Sequence, residues 1–158
     1  MPDRDTFTME QRDRQTRLSG VIDEHADLTF LGRLSGPQVT MNLRGIRRIN
    51  SYGVRAWLEQ IRKVPAGVAI EFVEVPPQIV DQINMVHGFI GGGRISSFYV
   101  PYTCEKCEAY EERLVQTDQC RKQEDLPKAQ CAACGAIMEV DDVEEQYLQI
   151  LRDTEGNA

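Results

Sequence analysis

Cys104-Glu-Lys-Cys107 and Cys131-Ala-Ala-Cys134 stand 23 residues apart, with Gly135 directly after the second pair. Two cysteines separated by two residues turn both sulfurs to one side of a tight knuckle. Two such knuckles supply four soft ligands, the number and kind that a tetrahedral zinc ion prefers. Gly135 permits the left-handed backbone that aims amides back at the sulfurs. The spacing therefore predicts a structural zinc site built from Cys104, Cys107, Cys131 and Cys134. Two disulfides, a redox pair and an iron–sulfur cluster compete with it, but nothing else in the chain argues for them. A metal in this position predicts that the last third of the chain folds around it.

A chain of 158 residues holds one good core, or one core plus a small module that needs a staple. No apolar run approaches the ~20 residues of a bilayer span, and Met1-Pro-Asp-Arg-Asp-Thr does not open a signal peptide. The expectation is a cytoplasmic protein, where thiols stay reduced and bind metal. Cys120, the fifth cysteine, lies beside Arg121 and Lys122 and is expected to be a partly exposed free thiol. Charge is unevenly spread. Residues 1–103 carry 12 Lys/Arg against 11 Asp/Glu, and residues 104–158 carry 6 against 14, a net of −8. Nucleic acid demands clustered positive charge, so the acidic segment favours protein partners, with neither nucleic acid nor membrane expected.

Alternation predicts strands over Thr6–Glu10 and Thr16–Ile22, parted by a polar turn at Arg12–Gln15. A short helix is expected over His25–Leu31, then a strand from Val39 to Ile46. Asn50 or Ser51 caps a helix to Lys63, whose stripe is Val54, Trp57, Leu58 and Ile61. Val68–Val73 reads as a central strand. Pro76-Pro77 opens a helix running to Val86, and Arg94–Val100 is a strand leading into the first knuckle. Gly91-Gly-Gly93 lacks the following Lys-Ser/Thr of a phosphate cradle and reads as a turn. Ile137–Val140 continues as strand. Asp141-Asp142 then caps a helix with Val143, Tyr147, Ile150 and Leu151 on one face, and residues 152–158 are expected to be disordered. The class is α/β: a mixed β-sheet layered with helices, then a small four-cysteine module and a C-terminal helix.

The stretch Leu43-Arg-Gly-Ile-Arg-Arg-Ile-Asn-Ser-Tyr-Gly-Val-Arg-Ala-Trp57, with Leu18-Ser-Gly-Val-Ile-Asp23 upstream, resembles the STAS domain of bacterial anti-sigma-factor antagonists. The resemblance covers residues 5–103. The cysteine module at 104–151 looks like an appended zinc ribbon. In that family a strand ends in Asp-Ser-Ser/Thr-Gly before a helix, and a partner kinase phosphorylates the residue before the glycine. Here Asn50 takes the place of the Asp, Ser51 of the first Ser, Tyr52 of the phosphoacceptor, and Gly53 is retained. The phenolic oxygen of Tyr52 projects several ångströms beyond a seryl oxygen, so any phosphoswitch would have to move to Ser51. The resemblance implies a partner-binding loop at Asn50, Ser51, Tyr52 and Gly53. Arg44, Arg47, Arg48 and Arg55 surround it, suited to a carboxylate-rich or phosphorylated partner or to the acidic surface of the ribbon itself.

Catalysis needs a nucleophile, acid or base with a positioned partner, or an open metal site. His25 and His87 stand alone, and four cysteine ligands close a zinc site to activated water. No enzyme is expected. The leading expectation is a regulatory protein-interaction module whose partner is an anti-sigma factor or a kinase-type regulator. A partner-switching antagonist phosphorylated on Ser51 and a nucleic-acid-binding zinc ribbon are the alternatives.

Overall fold

The computed structural model describes residues 5–120, 126–141, 147, 149 and 150. It opens with an antiparallel hairpin, β1 (Thr8–Arg12) and β2 (Gln15–Ile22), in which Arg12 faces Gln15. Asp13 and Arg14 both take positive φ, at 53° and 66°. Left-handed turns of this kind match the right-handed twist of the flanking strands. The expected polar turn is present, with the first strand two residues later than the alternation suggested.

The next segment departs from expectation. In place of a helix over His25–Leu31, a single 3-10 turn forms at Thr29–Arg33. Asp23 accepts the His25 N–H at 2.9 Å, and Asp27 accepts the Thr29 N–H at 3.0 Å. Side chains that bond nearby backbone compete with helical pairing in this way. Phe30 and Leu31 are still buried, and Phe30 stacks with Phe7.

β3 (Gln38–Ile49) runs parallel to β2 over most of its length. Only its first five residues, Gln38–Asn42, pair with the parallel β4 (Ala69–Val73). The rest of β3 therefore reaches beyond β4 and delivers the chain to Asn50. α1 (Ser51–Ile61) and α2 (Pro77–Met85) make the crossovers that parallel strands require. Trp57 and Ile61 of the expected α1 stripe are fully buried, while Val54 and Leu58 are half-buried. Trp57 stacks on Phe89 at 5.3 Å and donates its indole N–H to the Phe89 carbonyl at 2.7 Å. A buried indole thereby keeps its one polar atom satisfied. Pro77 sits in the first turn of α2, where a missing N–H costs nothing.

β5 (Arg94–Ile95) pairs parallel with β4, completing a sheet ordered β1-β2-β3-β4-β5. After a break at Ser96 the same stretch continues as β6 (Ser97–Thr103), which begins beside Val75: the Val75 N–H reaches Ser97 O and the Tyr99 N–H reaches Val75 O. β6 then becomes the middle of a second, antiparallel sheet between β7 (Tyr110–Gln116) and β8 (Glu139–Val140). The sequence reading contained no β7. Buried residues from both sheets, among them Leu18, Phe72, Phe98, Val100 and Val115, belong with Met138 and Tyr147 to one hydrophobic cluster. Tyr147 and Ile150 are fully buried, which agrees with a C-terminal segment packed on the protein. Asp142, Val143 and Leu151 of the expected last helix lie outside the described residues, as does the tail at 152–158. Among the described residues, no helix is long and apolar enough to cross a membrane.

Candidate metal centre and partner loop

β6 ends directly at Cys104, and the chain reverses through Cys107 into β7. The two knuckles repeat one backbone device. In the first, the Cys104 N–H reaches Ala109 O at 2.9 Å and the Glu108 N–H returns to Cys104 O at 2.8 Å. In the second, the Cys131 N–H reaches Ala136 O at 2.7 Å and the Gly135 N–H returns to Cys131 O at 2.8 Å. The residue after each second cysteine is left-handed: φ is 77° at Gly135 and 63° at Glu108. Glycine takes this conformation freely, but glutamate takes it only under constraint. The first knuckle thus has the geometry of the second without its glycine, which is why sequence reading saw the device only once.

β8 brings the knuckles together by pairing Glu139 and Val140 with Thr103 and Tyr102. The Tyr102 hydroxyl adds a hydrogen bond to Pro127 O at 2.6 Å. As a result Cys104 Sγ lies 3.4 Å from Cys134 Sγ, Cys107 Sγ lies 3.5 Å from Cys131 Sγ, and all four sulfurs fall within 4.8 Å of one another. A disulfide needs about 2.0 Å, so these are four thiols. A tetrahedron of zinc–sulfur bonds of about 2.3 Å has edges of about 3.8 Å, and the cluster matches that size. The four cysteines predicted from spacing are therefore brought together as a set able to hold a metal ion. Cys120 stands apart from that set. It is buried rather than partly exposed, because the 3-10 turn at Thr117–Gln119 folds it inward.

The sulfurs differ electrostatically. The Cys107 backbone N–H, with the Cys134 thiol and the Lys106 N–H, draws the Cys104 thiol down to about 7. The Cys134 and Ala133 N–H groups lower Cys131 likewise. At Cys107 the Ala109 N–H favours the thiolate, but the Cys131 and Cys104 sulfurs outweigh it and push the thiol up to about 12. At Cys134 the Ala136 N–H pulls the same way, and the Cys104 and Cys131 sulfurs still raise it overall. One sulfur of each pair carries charge readily, while its neighbour keeps its proton because the S–H is hydrogen-bonded to the adjacent sulfurs. A bound dication takes the place of those shared protons and lets all four ionise.

The loop from Asn50 to Gly53 sits where β3 ends. The Asn50 side chain accepts the Gly53 N–H at 2.8 Å and so caps α1, as expected. Its own backbone N–H reaches Ile22 O at 3.2 Å, and its amide group donates to Glu24 at 3.2 Å. Replacing Asn50 with alanine is expected to cost about 1 kcal/mol of stability, read as a lower urea midpoint with α1 still formed. Gly53 is buried against β2, whereas Ser51 and Tyr52 are exposed, Tyr52 at 64%. Arg47 pairs with Asp5 at 3.1 Å, and Arg48 approaches the same carboxylate at 4.0 Å. Arg55 is exposed on α1.

Arg44 leaves this group. It pairs with Glu112 of β7 at 2.5 Å and lies over the Tyr99 ring at 3.9 Å. Of the four arginines expected to act together, one thus meets an acidic residue of the cysteine module, and two converge on Asp5. Sequence reading missed the buried network beside it. Glu74, left-handed at φ 51°, accepts from Asn42 and from the Tyr99 hydroxyl, while its N–H bonds the Ser97 hydroxyl. Asn42 was a weak signal, being a polar residue inside an apolar strand. His25 and His87 are both exposed. No protein-family model, curated protein or solved structure matches the chain.

Proposed function

We propose that the chain is a non-catalytic, cytoplasmic regulatory module that binds another protein through a STAS-like domain and carries a zinc ribbon on its last strand. The observation that carries the reading is the loop at the end of β3. Gly53 is wedged against the β2 backbone, Asn50 caps the helix, and Ser51 and Tyr52 are exposed, as are Arg47 and Arg48 at the end of β3 and Arg55 on α1. A rigid, exposed loop on a packed scaffold suits recognition, and the arginines suit an acidic or phosphorylated partner. An anti-sigma factor or kinase-type regulator is the partner class that the resemblance implies. Cys104, Cys107, Cys131 and Cys134 supply four sulfurs and leave a zinc ion no open position, so its role in this reading is structural. The net charge of −8 over residues 104–158 argues against nucleic acid as the ribbon's partner.

A Ser51 phosphoswitch is the second reading, favoured by the exposure of Ser51 in the first turn of α1, where added negative charge is favourable. Both readings are tested by purifying the tagged chain from its own cells, measuring zinc, and identifying bound proteins and loop phosphate by mass spectrometry. One equivalent of zinc and a stoichiometric protein lost on Arg47→Glu/Arg48→Glu are expected. Phosphate on Ser51 would promote the switch. Zinc well below one equivalent, or a partner indifferent to both substitutions, would overturn the corresponding half of the proposal.

A further inference from the structure

β7 is an edge strand. Among the described residues it pairs with β6 on one side only, so one row of its backbone N–H and C=O groups has no sheet partner. Such an edge is a template for another strand. The opposite edge of that sheet, β8, is only two residues long, and the edge of the first sheet, β1, is exposed along its whole length, with Glu10 and Arg12 beside a single exposed apolar side chain, Met9. β7 differs, because it exposes two large apolar side chains, Tyr110 at 54% and Leu114 at 42%. Its three central charges already have partners: Glu112 pairs with Arg44, and Glu111 pairs with Arg113 at 2.5 Å.

The order of these residues is self-complementary. Two copies of β7 laid antiparallel about a twofold axis through Glu112 place Tyr110 opposite Leu114 twice and Glu111 opposite Arg113 twice. Opposed residues share a face in an antiparallel pair, so the aromatic ring meets the leucine and each carboxylate meets a guanidinium. The one like-charged contact, Glu112 against its own copy, is offset by an Arg44 on each side. Shifting the axis by one residue destroys the match. Centred on Arg113, like guanidinium groups meet and Glu111 faces Val115. Centred on Glu111, two carboxylates meet and Glu112 faces Tyr110. A strand with a buried face tolerates no loose register, and only one of these three registers satisfies both the apolar and the charged positions.

We propose that β7 is a self-association edge, on which a second copy of this chain adds antiparallel to join the two sheets across a twofold axis. The full-length, metal-replete protein is expected to show a concentration-dependent dimer in sedimentation equilibrium. Arg113→Glu gives a strand with Glu at both positions, and Glu111→Arg gives one with Arg at both. Each variant alone is expected to weaken the dimer by about tenfold or more, since like charges then oppose one another at two points. An equimolar mixture of the two restores opposite charges at both points and is expected to form the heterodimer, seen by native mass spectrometry. Leu114→Ser, which leaves the charges intact, should weaken the dimer without rescue by either partner. Circular dichroism and metal content check that each variant is folded. A wild type that stays monomeric at its highest soluble concentration overturns the proposal and leaves the edge to a strand from a different protein. A dimer that ignores all three substitutions also overturns it, and moves the contact elsewhere.

Discussion

Cys131→Ser is expected to empty the metal centre and destabilise the protein by at least about 3 kcal/mol. The hydroxyl that replaces the thiol stays protonated and binds zinc poorly, while binding free energy at such sites is folding free energy. The loss should not stay local. β6 carries Cys104 at its end, yet its residues Phe98, Val100 and Tyr102 are buried in the same cluster as Phe72 and Val80. Once the knuckles part, the β6–β8 pairing that holds the second knuckle has nothing to close against, and the Asp141 N–H loses Pro101 O. Loss of hydrogen-exchange protection is therefore expected to run from β7 and β8 into β6, while β2 and β3 hold out longest. Cys120→Ser is the control. It also replaces a buried sulfur, but one outside the four-sulfur cluster, so it should weaken packing and keep the metal. Metal analysis after dialysis, with urea unfolding before and after a chelator, reads both. If Cys131→Ser unfolds like wild type and a chelator changes nothing, the cysteines are not holding the fold.

The sequence was most legible where one local rule decided the outcome. CxxC spacing located all four sulfurs, the helical stripe found Trp57 and Ile61, and Asn50 was recognisable as a cap. It was least legible where two rules competed or where a partner lay far along the chain. His25–Leu31 has apolar residues at helical spacing, but Asp23 and Asp27 bond the backbone locally and leave only a 3-10 turn. β7 was missed because Glu111-Glu112-Arg113 interrupts the alternation that marks a half-buried strand. Those charges are tolerated because Arg44, 68 residues away, neutralises Glu112, and the Glu111–Arg113 pair lies along one strand. Glu74 and Glu108 show the same limit. Both hold left-handed backbone that composition would assign to glycine: Glu74 through a hydrogen bond to Ser97, far along the chain, and Glu108 through the knuckle's own bond to the Cys104 carbonyl, which the residue type does not announce.

Gly53→Ala is the substitution on which the loop reading turns most sharply, because its sign opposes intrinsic preference. Alanine is favoured over glycine in a helix by about 1 kcal/mol, so an isolated α1 would gain from it. In the folded protein the added Cβ would lie 2.0 Å from Ile22 O and 2.6 Å from the Ile22 carbonyl carbon. Both are backbone atoms of β2, which pairs with β3 as far as Ile22, and a side-chain rotation cannot relieve them. α1 must then retreat from β2, and the retreat breaks the Asn50 N–H bond to the same Ile22 carbonyl. It also loosens Trp57 against Phe89, one turn further along. Overpacking of this kind costs typically 1–3 kcal/mol and more against rigid backbone, so about 3 kcal/mol of net destabilisation is expected in urea unfolding. Gly67→Ala supplies the comparison, since its Cβ meets nothing within 4 Å, and it should be neutral or stabilising by a few tenths of a kcal/mol. Equal midpoints for the two variants would mean that Gly53 does not fix the loop. A large loss at Gly53 alone would show that the approach of α1 to β2, rather than helix propensity, is what makes Ser51 and Tyr52 a rigid presentation surface.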